Sequence, residues 1–449
     1  MGYKTKKISK RSRRSKRSKR SRRSKRSKRS KRSRRSKRGG RSGRGGRGGR
    51  SGRGGRSGRS KRSKGTEHSV IKEFRKMLEQ NPVERMYIAQ MIEDIPSGAE
   101  YNLYRLSNTE DLLQKLNKLM TKAPEFNDTL LVGTPFSAII LWAMGNPTGI
   151  AAFRRKKINN MFKKLLKEWS KFLDGPKSRY VLNHGPNGWF SKKALKKIHL
   201  SDFQHNKNAK YFGFKSWNDF FTRKLVKGAR PIYEPDNDKA IVSGFDCTIY
   251  KISYNVKKVS NFWIKDQPYS LRDMLDNDKK YVDMFVGGDI FQAFLNPFNY
   301  HRWHSPISGT VIKATVIEGL YFSQRETEDL RDIGKLEVVE WIRQSEDPSD
   351  QDRSEGYITH VQTRAIIYIR SDDPKIGVVC VMPVGMVEIS SCKILRKIKP
   401  GYHLEKGEEI GYFQFGGSTS CLIFQKGVIK QFDKTQGFCR MGSLIATAY

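Results

Sequence analysis

Phe415-Gly416-Gly417-Ser418-Thr419-Ser420 lies near the end of the 449-residue chain, between two apolar runs that read as strands. Two consecutive glycines remove side-chain bulk and open backbone angles closed to other residues. The hydroxyl of the following serine can then be pressed against the carbonyl before it. That geometry would allow Ser418 to attack the carbonyl carbon of Gly417. A glycine-containing hairpin turn accounts for the same triplet without any chemistry. The choice between the two readings rests on residues upstream.

The chain is long enough for two or three domains, and its aromatic residues suffice for a packed core. Its charge is unevenly placed. Residues 1–64 hold 33 of the 89 Lys and Arg and no Asp or Glu, so 33 of the formal +45 belong to that segment and +12 to the rest. Ser-Arg-Arg-Ser-Lys-Arg-like units run to about Arg38 and Arg-Gly-Gly or Arg-Ser-Gly units to about Arg59. Like-charge repulsion and scarce apolar groups predict a disordered tail over residues 1–66. Such a tail suits an anionic membrane surface or nucleic-acid phosphates, or serves only to solubilise. Its serines are candidate phosphorylation sites. Nothing in it resembles a signal peptide.

Cys247, Cys380, Cys392, Cys421 and Cys439 are widely spaced and odd in number, without the close pairs of zinc or redox motifs. A reducing compartment is the simpler expectation.

Residues 67–210 read as a helical domain. Val70, Phe74, Met77 and Leu78 share one helical face, as do Leu112, Leu113, Leu116 and Leu119. Residues 129–153 carry no charge, but Pro135, Gly145, Asn146, Pro147 and Gly149 interrupt them. A buried helix with flanking loops is expected there rather than a membrane span. Ile158, Met161, Phe162, Leu165, Leu166, Trp169 and Phe172 then mark an amphipathic helix with lysines on its far side.

Beyond Phe214-Lys215-Ser216-Trp217-Asn218-Asp219-Phe220-Phe221, residues 211–449 change to short strands and turns, with strands predicted over 240–242, 310–316, 364–369, 377–382 and 409–415. The charged residues 324–355 read as an insertion or mobile loop. The fold class is therefore α+β, a helical region on a β-rich one. Tyr300-His301-Arg302-Trp303-His304-Ser305-Pro306 brings in candidate chemistry. Histidines three apart share a face on a helix, where they could ligate a metal; on a strand they point to opposite sides. Pro297 and Pro306 disfavour the helix, and no metal is expected. Opposite facings suit two separate proton transfers, with purely structural histidines as the alternative.

Taken together, residues 214–428 resemble the phosphatidylserine decarboxylase family of pyruvoyl-dependent enzymes. The resemblance is carried by Phe220-Phe221-Thr222-Arg223-Lys224-Leu225, Gly228-Ala229-Arg230-Pro231, Tyr269-Ser270-Leu271, the two-histidine segment, Val384-Gly385-Met386-Val387-Glu388 and Gly416-Gly417-Ser418-Thr419, in that order. Residues 128–183 resemble the extra N-terminal domain of the subgroup that includes L-tryptophan decarboxylases.

The resemblance implies that Ser418 attacks the Gly417 carbonyl in an N-to-O acyl shift, and that elimination and hydrolysis follow. A β chain ending at Gly417 and an α chain beginning with a pyruvoyl group made from Ser418 would result, with no pyridoxal phosphate. His304 matches the histidine that works in self-cleavage with an aspartate, here Asp246, by the logic of a base held by a carboxylate. His301 matches the histidine of the decarboxylation step. One departure stands out: the family aspartate sits in a Pro-x-Asp-Gly turn, whereas here Gly244 and Cys247 take those places. The substrate expected first is phosphatidylserine, giving phosphatidylethanolamine and carbon dioxide. A free aromatic L-amino acid such as tryptophan is the alternative, and a non-enzymatic nucleic-acid-associated protein is a third class.

Overall fold

Apolar residues spaced three and four apart shape the first part of the chain. The computed structural model describes residues 66–98, 105–127, 134–260, 269–323, 353–386, 388, 391–414 and 418–449. Its helices are α1 Ser69–Gln80, α2 Pro82–Glu93, α3 Thr109–Leu119, α4 Pro135–Met144, α5 Pro147–Arg154, α6 Lys156–Asp174, α7 Lys192–Ile198 and α8 Trp217–Phe221. Val70, Phe74 and Leu78 of the first predicted face and Leu112, Leu113 and Leu116 of the second are buried, while Met77 and Leu119 are half-buried at the edges. The Asn108 side chain caps α3 by accepting from the Asp111 N–H.

The charge-free stretch divides at Gly145-Asn146 into α4 and α5, each with proline in its first turn, where a missing N–H costs nothing. No helix among the described residues is long and apolar enough to cross a membrane. In α6 the apolar side is buried and the lysines face outward. Leu173 completes its core face, while Phe172 is only half-buried. The helices share one core with Trp189, Trp217, Phe220, Phe298 and Phe322, each large side chain contributing about 2 kcal/mol by its burial.

The remaining chain adds helices α9 Leu271–Met274, α10 Lys279–Phe285 and α11 Arg353–Val361, and strands β1 Ala240–Val242, β2 Cys247–Ser253, β3 Asp289–Leu295, β4 Arg302–His304, β5 Gly309–Ile317, β6 Arg364–Ser371, β7 Val378–Gly385, β8 Ser391–Ile394, β9 His403–Leu404, β10 Glu409–Gln414, β11 Ser418–Phe424, β12 Ile429–Phe432, β13 Phe438–Cys439 and β14 Leu444–Ala448. The fold is α+β. An eight-stranded sheet has the order β13-β2-β3-β11-β7-β6-β5-β9, and two three-stranded sheets have the orders β4-β10-β8 and β1-β14-β12. Strand alternation gives the large sheet two apolar faces. Phe291, Leu295, Leu422 and Phe424 on one face share a core with Trp303 and Phe413 of the β4-β10-β8 sheet. Ile290, Met382, Cys421 and Ile423 on the other share a core with Leu271, Tyr281 and Phe285 from α9, α10 and their approach.

The basic tail predicted over residues 1–66 lies outside the described residues up to residue 65, as do 324–352 of the expected insertion, whose end from Arg353 is helical. The five cysteines are buried, and none of them forms a disulfide.

Candidate active site

Ser418 opens β11 at the middle of the large sheet, opposite Leu295 of β3 and Gly385 of β7. Phe415, Gly416 and Gly417 lie outside the described residues, and with them the carbonyl side of the expected cleavage bond. On either side of them in the chain, β10 belongs to a small sheet and β11 to the large one. Ser418 is fully buried, and its Oγ has no hydrogen-bond partner among the described residues. A buried hydroxyl left in that state costs roughly 1–3 kcal/mol, and such groups concentrate where chemistry needs them.

Neither histidine lies on a helix, as the flanking prolines predict: His304 ends β4 and His301 immediately precedes it, and they meet different surroundings. The His301 carbonyl accepts the Phe413 N–H at 2.9 Å, which fastens it beside the last residues of β10 before the two glycines. The fully buried His301 ring stacks on Phe221 of α8, with centroids 4.2 Å apart and 27° between planes. His304 Nδ1 lies 2.7 Å from the Gly407 carbonyl oxygen and Nε2 lies 2.8 Å from the Tyr300 hydroxyl. A carbonyl can only accept, so Nδ1 carries the proton and the Nε2 lone pair receives Tyr300 O–H. Burial pushes the His304 pKa below its ordinary value, and burial pushes that of Tyr300 up, so both stay neutral.

Asp246 is buried beside them but faces another partner. Its carboxylate receives Arg230 Nε at 2.9 Å, Arg230 Nη2 at 2.6 Å and the Met441 N–H at 2.8 Å. Arg230 also binds Asp202 at 2.8 Å. Neither His304 ring nitrogen bonds to Asp246; the two residues are brought together through the backbone instead, His304 N–H donating to the Gly244 carbonyl at 3.0 Å. A Cβ on residue 244 would lie 2.4 Å from the His304 carbonyl oxygen, which accounts for glycine at this departure from the family turn.

Residues quoted only for their motifs thus line the site. Phe221 holds one imidazole, Tyr300 engages the other, and Arg230 neutralises Asp246. Arg223 is buried, donates to the Phe298 and Asn299 carbonyls at 2.7 and 3.2 Å, and has its pKa lowered to about 10 by burial. It pins the approach to His301. Beyond β7, fully buried Glu388 reaches α4, accepting from Ser137 N–H at 2.7 Å and Ser137 Oγ at 2.6 Å. The α4 N-cap, Thr134, makes no side-chain cap, so this distant carboxylate serves in its stead. Met386 is half-buried, and Val387 lies outside the described residues.

Comparison with known proteins places these features in one family. The family described as Phosphatidylserine decarboxylase matches residues 217–447, and a second family of the same description matches residues 68–198. A decarboxylase of Amanita muscaria is 35% identical over 301 residues, 65% of this chain and 84% of that protein. The L-tryptophan decarboxylase of Psilocybe cubensis is 30% identical over 396 residues, 84% of this chain and 85% of its own. A phosphatidylserine decarboxylase proenzyme of Clostridium perfringens is 31% identical over 294 residues, 65% of this chain and 84% of its own. With the matched region containing the buried serine, both histidines and the Asp246–Arg230 pair, the chain belongs to the phosphatidylserine decarboxylase family and is a decarboxylase, a carboxy-lyase.

Proposed function

We propose that the chain cuts itself between Gly417 and Ser418 and then decarboxylates the α-carboxylate of a free amino acid with an aromatic side chain. The observation that supports self-cleavage is the buried Ser418 Oγ, which has no hydrogen-bond partner among the described residues and directly follows two glycines in the sequence. In this reading Ser418 Oγ bonds to the Gly417 carbonyl carbon, the Gly417–Ser418 C–N bond breaks, and the hydroxyl proton ends on the Ser418 nitrogen. Loss of the Ser418 Cα proton and of the Gly417 carboxylate breaks Cβ–Oγ and leaves a dehydroalanine. Water then enters and ammonia leaves, giving a pyruvoyl group. His304 takes the Ser418 proton, for which Ser418 must displace Tyr300 at Nε2.

A pyruvoyl carbonyl supplies an electron sink for the pair left when carbon dioxide departs from an α-amino acid. His301 is the proton donor to the α carbon, its ring orientation fixed by Phe221. Burial around Ser418 and His301 excludes water that would compete for that proton.

The free amino acid is supported by the extent of the likeness to the Psilocybe cubensis L-tryptophan decarboxylase, which runs through both helical and β-rich parts. Phosphatidylserine is the second reading, favoured by the family description and by the Clostridium proenzyme. Intact masses of the wild type and Ser418→Ala, with carbon dioxide release from tryptophan and from phosphatidylserine vesicles, test both. Cleavage before residue 418 in the wild type alone, and release from tryptophan alone, is the expected result. Release from the vesicles alone would replace the substrate, and an intact wild-type chain would overturn the mechanism.

A further inference from the structure

Three adjacent hydroxyls, on Ser418, Thr419 and Ser420, start β11, and alternation turns Thr419 to the face opposite Ser418. There Thr419 is fully buried in a hydrogen-bonded chain. Tyr269 Oη donates to Gln292 Oε1 at 2.5 Å, Gln292 Nε2 donates to Thr419 Oγ1 at 3.0 Å, and Thr419 Oγ1 donates to the Ala293 carbonyl at 3.0 Å. Tyr269 and Gln292 are fully buried as well. The direction of this chain is forced from its end. Ala293 O can only accept, so the Thr419 proton points at it; Thr419 must then accept from the Gln292 amide nitrogen, which leaves the Gln292 oxygen for Tyr269. Ser270, next to Tyr269, is fastened by its N–H to His360 Nε2 at 2.9 Å.

We propose that Tyr269 and Gln292 are positioning residues for self-cleavage: they commit the Thr419 hydroxyl to the strand and lock the start of β11, leaving Ser418 as the hydroxyl free to react. This rests on the reading of self-cleavage before Ser418. Gln292 and Thr419 are 127 residues apart in sequence, and Tyr269 and Gln292 are 23 apart, so the chain joins the approach to α9, β3 and β11 into one unit. A hydroxyl whose proton and lone pair are both engaged is a poor nucleophile, whereas the Ser418 hydroxyl has no bond of its own to give up among the described residues.

The test is a time course of intact mass on freshly synthesised full-length chain. Gln292→Leu, which cannot donate to Thr419, slows conversion roughly tenfold, and Tyr269→Phe slows it severalfold. Gln292→Glu keeps the shape but donates only while protonated, so its rate relative to wild type falls as pH rises from 5 to 8. A purely structural role would leave that ratio level. Wild-type rates in Gln292→Leu and Tyr269→Phe, or a level ratio in Gln292→Glu, would overturn the inference. Should Gln292→Leu fail to fold by thermal melting, the two shape-conserving variants decide. An uncleaved wild type would instead defeat the underlying self-cleavage reading.

Discussion

Asp246 and Glu388 are two buried carboxylates at the ends of β2 and β7, and the protein handles them in opposite ways. Asp246, at the turn into β2, is gripped by the two-pronged guanidinium of Arg230. Glu388, past the end of β7, has no Lys, Arg or His ion-paired with it among the described residues and rests on Ser137 at the first turn of α4. A full counter-charge holds Asp246 in place. Neutral donors and a helix end do less, and burial pushes the Glu388 pKa up to about 7. The comparison teaches that one carboxylate is anchored by charge and the other by its protonation state.

The largest effect expected from breaking this contrast follows Arg230→Met, which strands the Asp246 charge and should cost about 3–5 kcal/mol in urea unfolding of a Ser418→Ala chain. A loss below about 1 kcal/mol would mean Asp246 is compensated otherwise. Next comes the pH response of Glu388. Its folded pKa is raised, so the protonated form contributes stability that is complete below the unfolded value near 4.5 and lost as pH rises through about 7. Wild-type stability should therefore fall by up to about 3 kcal/mol from this group between pH 5 and pH 8, and Glu388→Gln should abolish that component. Ser137→Ala removes a hydroxyl donor to the carboxylate and should cost about 1–2 kcal/mol, more at pH 8 than at pH 5. Smallest is Tyr300→Phe, which deletes a bond between neutral groups at His304 and should cost about 1 kcal/mol by the same unfolding measurement.

Which parts of this were legible in the sequence depends on the range of the signal. Helical faces such as Ile158 to Trp169 are repeats within one element, and the structure buries them as read. Ser418 stood out because two glycines beside it free the backbone, and the two histidines because prolines on either side restrict it. The grip of Arg230 on Asp246 did not, although both lay in quoted segments. A guanidinium fork outcompetes a neutral imidazole for a carboxylate, but composition cannot say which of two partners will be nearer. The Glu388–Ser137 bond spans 251 residues, and the Thr419–Gln292 bond exists only through strand register. Such pairs leave no periodic trace.

The placement of β11 has a thermodynamic consequence. It lies between β3 and β7, and the chain after it supplies β12 and β14 to the sheet that also contains β1. A cut before Ser418 would therefore not release a tail but create a two-chain complex whose smaller member is an inner strand of the larger. Unfolding of the intact chain is unimolecular; unfolding of the cut protein separates two molecules. Its melting temperature should then rise with protein concentration, and dilution after denaturation should prevent recovery. Self-cleavage would turn a protein able to refold alone into one that depends on having folded beforehand.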